Sequence, residues 1–341
     1  MPGGAGLDAG IKAAIAGFKA DDPAALLPAL LELHRKLAVL PTDPLVADKR
    51  AQLDRIIQSC LGLEVETTVD RPEVVPGEKF RLTITTRIAR ASGGSISHFN
   101  AASQSDALQP GQPDSHTVEL TVPVTLPLTQ PYWLREESAA GIARVSDSKL
   151  IGRPESPPTL VDRQEFAVGS ERIFVESEPM YVTRDARGEH RRRLDVIPPV
   201  SLALNSDIYL VAPGATKQVT IEVTAARANS HGRLSVEAPA GWSINTGPQD
   251  FRLPNVGDKA AFTFTVTAPA GGGNGRLSAV AEVDGHRYSN QRIELNYAHL
   301  PLQLLQPPAR SRLASFPLAT KGLTIGYLPG AGDSVAECLE Q

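Results

Sequence analysis

The chain has little of what holds small secreted folds together or builds common active sites. Its 341 residues include two cysteines, Cys60 and Cys338, at opposite ends. Two cysteines in different predicted domains make no disulfide framework, so both read as free thiols. Aromatic residues make up 5% of the chain, which leaves few platforms for stacking nucleic-acid bases. The formal net charge of −4 gives no general attraction to nucleic acid or acidic membranes. No apolar run approaches the ~20 residues that a membrane span needs. The opening MPGGAGLDAG lacks a basic start followed by an apolar stretch, so no secretory signal is visible.

Reaction motifs are missing too. The histidines are His34, His98, His116, His190, His231, His286 and His299, and no two lie within five residues of each other. The short-spaced pairs of many zinc sites are therefore absent, and the chain by itself is expected to hold no metal. There is no Gly-x-Ser-x-Gly elbow for a nucleophile. Cys60 falls on an apolar helical face, where a thiol is packed and inert. Arg191-Arg192-Arg193, after Arg184, Arg187 and His190, alternates with Asp185 and Glu189 and reads as a solvated strand pair. Gly330-Ala331-Gly332-Asp333 would place backbone amides before a helix, where they can face an anion. A tight turn with Asp333 or Ser334 capping the helix is the simpler reading.

What the sequence does have is period. Leu7, Ile11, Ile15 and Phe18 recur at helical spacing. Asp21-Asp22-Pro23 and Asp43-Pro44 are helix starts, each an acidic cap before proline. Leu26, Leu30, Leu33, Leu37 and Leu40 form the second stripe. Leu45, Leu53, Ile56, Ile57 and Cys60 form the third, closed by Gly62. Beyond Gly62 the period drops to two. Val65–Val69, Phe80–Ile84, Val118–Leu126, Val219–Val223, Leu234–Val236, Phe262–Val266, Leu277–Ala281 and Ile293–Tyr297 all alternate. Short alternating strands between Pro, Gly and Asn turns predict antiparallel sandwiches. Val75-Pro76-Gly77 and Ala212-Pro213-Gly214 each feed such a strand, which points to two related sandwiches with a boundary near Pro198-Pro199. Residues 89–116, rich in Gly, Ser, Gln and Pro, predict a long loop. Leu323–Tyr327 reads as a strand and Ser334–Glu340 as a helix start, the opening of an α/β unit cut short.

Two tryptophans remain. Trp242, after Pro239-Ala240-Gly241, is aimed into the core by its turn. Tyr132-Trp133, anchored by Pro131, is either a packing plug or an exposed face.

Several stretches together resemble one family. They are Gln130–Leu134 (QPYWL), Leu150-Ile151-Gly152 with Pro154-Glu155, Gly188-Glu189 before Val196-Ile197-Pro198, Tyr297-Ala298-His299-Leu300, and Ile325-Gly326-Tyr327 with Gly330–Asp333 (GAGD). Their order is similar to the region downstream of the catalytic domain in large bacterial LmbE-like proteins of the PIG-L type, the N-acetylglucosaminyl-phosphatidylinositol de-N-acetylase family. Ala212-Pro213-Gly214, Pro239–Trp242 and Phe262–Val266 also resemble the sandwich domain associated with bacterial α-galactosidases. The family's Ala-His-Pro-Asp-Asp zinc motif is absent here, so no catalytic residue carries over.

The combined expectation is a mainly β chain with an α-helical N-terminal segment, two tandem antiparallel immunoglobulin-like β-sandwiches and an incomplete strand–helix tail. Residues 1–61 would be a three-helix linker segment, 62–197 the first sandwich, 198–298 the second, and 299–341 a linker into a truncated α/β domain. The tail beyond about Leu300 would be poorly anchored. The resemblance implies a non-catalytic accessory module of a zinc-dependent deacetylase, with zinc in that catalytic domain and no cofactor here. It also implies a periplasmic or extracellular parent. Expected partners are the catalytic domain and carbohydrate, with no nucleic acid and no membrane span. Tyr132, Trp133, His299 and Asp333 are the candidate ligand or interdomain contacts. The alternatives are a free-standing sugar-binding or adhesion protein and a hydrolase with an unrecognised site.

Overall fold

The computed structural model describes residues 6–41, 43–90, 96–99, 104–137, 141–186, 188–297, 299–319, 324–328, 330, 335 and 339. The fold is mainly β, with helices at the N-terminus and sheets in sandwich-like layers. Two compact units share the chain discontinuously. The first takes residues 1–72, 78–122 and 158–194; the second takes 73–77, 123–157 and 195–341.

In the first domain the helices are α1 (Leu7–Gly17), α2 (Leu27–Ala38, entered through a 3-10 turn at Pro23–Leu26) and α3 (Pro44–Leu61). The Asp43 side chain accepts from Leu45 N at 2.8 Å, supplying the expected cap, whereas Asp22 makes no such bond. Gly62 ends α3 at φ 58°, and a Cβ there would lie 2.6 Å from the Ala89 Cβ, so only glycine fits. The helices are not a linker. Leu27, Leu30, Leu33, Leu53, Ile57, Cys60 and Leu61 share one core with Phe166, Val168, Ile173 and Val175 of the sandwich. Apolar stripes must be buried against something, and here the sheet supplies the surface. On α1 the buried position is Ala14, while Ile11, Ile15 and Phe18 stay exposed. Small residues win that face because α1 lies close to α2: a Cβ on Gly10 would sit 2.8 Å from Leu33 Cδ2.

The first domain's strands are β1 (Leu63–Val69), β2 (Lys79–Ile88), β3 (Ile96–Phe99), β4 (Gln104–Ala107), β5 (Asp114–Thr121), β6 (Asp162–Val168), β7 (Glu171–Ser177), β8 (Met180–Asp185) and β9 (Gly188–Arg193). One sheet has the order β9-β8-β1-β2-β5, the other β4-β3-β6-β7. Residues 89–116, expected as a loop, thus contain two strands and the start of a third. Pairing of Ile96–Phe99 with Glu165–Val168 holds β3 in place where its own sequence pattern is too short to announce it.

The second domain's strands are β10 (Val200–Leu204), β11 (Ile208–Leu210), β12 (Thr216–Ala225), β13 (Ser230–Glu237), β14 (Ser243–Ile244), β15 (Gln249–Leu253), β16 (Lys259–Thr267), β17 (Gly273–Val283), β18 (His286–Tyr288), β19 (Ile293–Leu295), β20 (Gln303–Leu305) and β21 (Arg310–Ser315). One sheet has the order β10-β12-β16-β14. The other runs β11-β21-β17-β13-β15, with β18 beside β17. Between them lie Val219, Ile221, Val223, Leu234, Phe264, Leu277 and Leu313 among others, all essentially without solvent contact.

Three boundary expectations are corrected. Glu73-Val74 pairs in parallel with Asp195-Val196, and Gln306 binds Gln130, Thr129 and Val196, so segments inside 62–197 belong to the second domain. The strand that completes the second sandwich is β21, not Ile293–Tyr297, whose apolar side chains remain exposed. Residues 299–341 therefore include core: Leu304, Ala309 and Leu313 are buried. Residues 324–328 form no strand, and Ile325 and Leu328 are exposed; Val335 and Leu339 are helical.

Candidate functional site

Tyr132 and Trp133 sit in one 3-10 turn, Tyr132–Leu134. Tyr132 is buried. Its hydroxyl donates to the Arg153 carbonyl at 3.1 Å and its amide donates to Ser156 Oγ at 2.9 Å. Trp133 packs edge-on against it, ring centroids 4.8 Å apart, and keeps 36% of its surface in solvent. The pair is thus a plug with one open rim. Leu134, the next residue, lines a shallow groove with Glu136, Glu137, Asp207, Arg276 and Arg310. Glu137 pairs with both Arg276 and Arg310, so the groove is polar with its charges matched. His299 is exposed and leans on the exposed Tyr297 at 6.0 Å between ring centroids. Asp333 lies outside the described residues. Among the described residues, neither Tyr132 nor Trp133 makes a hydrogen bond or ring contact with His299.

The basic run is a strand pair, as expected. Arg184 and Arg191 bind Glu189, Arg191 also binds Glu66, and Arg193 binds Glu178. Matched in this way, it offers no concentrated positive field for a polyanion.

Two features of the first domain were hidden from sequence reasoning. The first is an ion cluster that ties the helices to β7. His34 on α2 meets Asp54 of α3 at 3.2 Å and Glu171 of β7 at 3.1 Å, and Arg35 also reaches Glu171 at 3.2 Å. The Asp54 hydrogen bond, then Glu171, raises the His34 pKa in spite of burial. Burial pushes the Glu171 carboxyl up, but its bonds to His34 and Arg35 outweigh this and hold it below the usual range. A histidine with a raised folded pKa stabilises fully below its unfolded value near 6.5, and the gain fades as pH rises through the folded value. Glu171 contributes above about 4.5 and loses its contribution as pH falls through its depressed folded value. His34→Gln should therefore cost about 1–2 kcal/mol in urea melts of the first domain at pH 5.5. The cost should shrink at pH 9. An equal cost at both pH values would show that His34 acts through packing alone.

The second feature is polar matter inside the sandwich. His98 on β3 has no solvent exposure and stacks on Phe166, ring centroids 4.9 Å apart. His116 on β5 approaches it to 5.0 Å. Burial, then the neighbouring His98, lowers the His116 pKa. Asp114 lies two residues before His116 on the same face of β5, and donor atoms of all three fall within 4.8 Å of one another. Gln164 Oε1 accepts from His98 Nε2 at 2.5 Å, Gln164 Nε2 donates to Asp162 at 2.6 Å, and Thr67 donates to Asp162 at 2.9 Å. Sequence spacing could not reveal this set, because His98 and His116 belong to different sheets.

In the turn between β17 and β18 of the second domain, Asp284 takes φ 50°. Residues 211–284 match the NPCBM-associated NEW3 domain of α-galactosidase. The NEW3 match covers the middle of the second domain and includes Trp242 in its core. It leaves β10, β11 and β18–β21 outside. No curated protein sequence matches the chain. Among solved structures, the native Escherichia coli alpha-2-macroglobulin is 16% identical with a TM-score of 0.27, over 75% of this chain and 17% of that one. Salmonella alpha-2-macroglobulin reacted with methylamine is 11% identical with a TM-score of 0.27, over 74% and 16%. A Porphyromonas gingivalis protein of unknown function is 9% identical with a TM-score of 0.22, over 74% and 98%. The chain spans less than a fifth of either macroglobulin.

Proposed function

We propose that this chain is a non-catalytic accessory module of a multidomain bacterial protein that acts on carbohydrate. The observation that carries this reading is the NEW3 match in a sandwich whose interior is filled by side chains. The parent is a zinc-dependent deacetylase of the LmbE-like, PIG-L type, exported to the periplasm or beyond, which hydrolyses the amide of N-acetylated sugar conjugates. That finer assignment rests on the ordered segments from Gln130–Leu134 to Gly330–Asp333. In it the catalytic domain supplies zinc and chemistry, and these sandwiches supply position and contact.

A contact with sugar is the second part of the reading, favoured by the open rim of Trp133 and by the Glu137–Arg276–Arg310 groove that the adjacent Leu134 lines. An indole face takes the apolar side of a pyranose, and matched charges at its edge take hydroxyls. Tyr132, buried and fully engaged, positions Trp133 and does not touch ligand. The test is acetate release from N-acetylglucosamine conjugates, measured for this chain alone and for the full parent.

A further inference from the structure

We propose that His98, Asp114 and His116 form a binding site for one divalent metal ion of the zinc class, clamping the two sheets of the first domain together. This departs from what histidine spacing in the sequence suggests. The three residues come from two strands in different sheets: His98 from β3, Asp114 and His116 from β5. On β5 the inward positions alternate. Asp114 and His116 are half-buried, whereas Ser115 and Thr117 between and after them are exposed. That period of two puts both side chains on the face toward His98.

The donor set suits the metal. Two imidazole nitrogens and one carboxylate oxygen are the ligands zinc takes at about 2.0–2.2 Å, with the fourth position left to water. Tetrahedral ligands at those lengths stand roughly 3.4 Å apart. The donors here lie within 4.8 Å, so side-chain rotation of about an ångström closes the set around an ion. Nitrogen donors argue against calcium or magnesium, which take oxygen.

The surrounding hydrogen bonds fix the chemistry of His98. Gln164 turns its amide nitrogen to the Asp162 carboxylate, so its oxygen faces His98. His98 Nε2 then donates, which in the neutral imidazole leaves the lone pair on Nδ1. Asp162 is itself held by Thr67. A carboxylate–amide–histidine chain of this kind orients metal-binding imidazoles by their second nitrogen. The competing account is a polar filler, in which the same bonds merely satisfy buried groups.

The experiment uses the whole chain without a histidine tag, stripped by chelator and titrated with zinc by calorimetry. Cobalt absorption reports geometry, and melting reports stability. The wild type should take up one zinc per chain, show tetrahedral cobalt bands and melt higher with zinc. His116→Gln and Asp114→Asn, at half-exposed positions that tolerate change, should each weaken uptake at least tenfold while keeping the circular dichroism of the wild type. Gln164→Leu should weaken it 10- to 100-fold without removing a ligand. No uptake by the folded wild type, or equal uptake by both ligand variants, would overturn the site.

Discussion

Truncation after Leu300 is expected to abolish cooperative melting of the second domain. The cut removes β21, which lies between β11 and β17 and pairs with both. It takes away Leu304, Ala309 and Leu313, each buried, at roughly 1.5–3 kcal/mol for each large side chain. It also strips partners from backbone groups of Gly273–Ser278 and Ile208–Leu210. Those losses together approach the ~5–15 kcal/mol by which a typical domain is stable. Calorimetry of the full and truncated chains should show one endotherm missing. Leu313→Ala, a milder change, should cost about 2–5 kcal/mol and leave the domain folded but weaker. A truncated chain that keeps both transitions would mean that β21 is an ornament on a sandwich stable without it.

Trp242→Ala is expected to be the most damaging single substitution in the segment that matches the NEW3 domain. The indole is 8% exposed and belongs to the core that contains Val219, Phe264 and Leu277. Its turn is fixed by the Trp242 N to Pro239 O bond at 3.1 Å and by Gly241 at φ 84°. The backbone therefore cannot easily move to refill the space. Truncating a packed aromatic costs about 3–5 kcal/mol, from lost transfer energy and the cavity left behind. Denaturant melts should show this as a lower midpoint for the second domain and an unchanged first domain. Unchanged stability with lost glycan binding would instead make Trp242 a contact residue.

How far the sequence could be read follows from what each element buries. The three helices are visible because their leucine and isoleucine stripes are long, and two of them carry explicit Asp-Pro starts. Their role was not visible, since nothing in a stripe says which sheet it will cover. On α1 a close helix contact selects Gly10 and Ala14 over Ile11 and Ile15 for the inward face, which the apolar spacing alone does not say. β12, β16 and β17 were legible from Val219, Phe264 and Leu277, which alternate with polar residues. β21 was not, because its inward residues are Ser311, Leu313 and Ser315, and Ser311 is satisfied by a bond to the Ser206 carbonyl. Two buried serines erase the apolar alternation. The same logic hid β3, where the inward residues are Ile96 and His98. The tail strand at 323–327 is expected from apolar content alone, and the described residues 324–328 form no strand. At the candidate site, the sequence leaves Tyr132-Trp133 open between a packing plug and an exposed face, and the structure buries Tyr132 while Trp133 and His299 keep solvent contact. The His98–Asp114–His116 set depends on two sheets meeting, which no linear spacing encodes.

The proposal that this chain assists catalysis and performs none has one direct test. The most direct measurement is acetate release from N-acetylglucosamine conjugates by the purified chain, before and after loading with one equivalent of zinc. The account predicts no release above buffer in either state, alongside release by a parent carrying an Ala-His-Pro-Asp-Asp domain. Acetate production by the chain alone, lost in His116→Gln, would contradict it and place an active site inside the first sandwich.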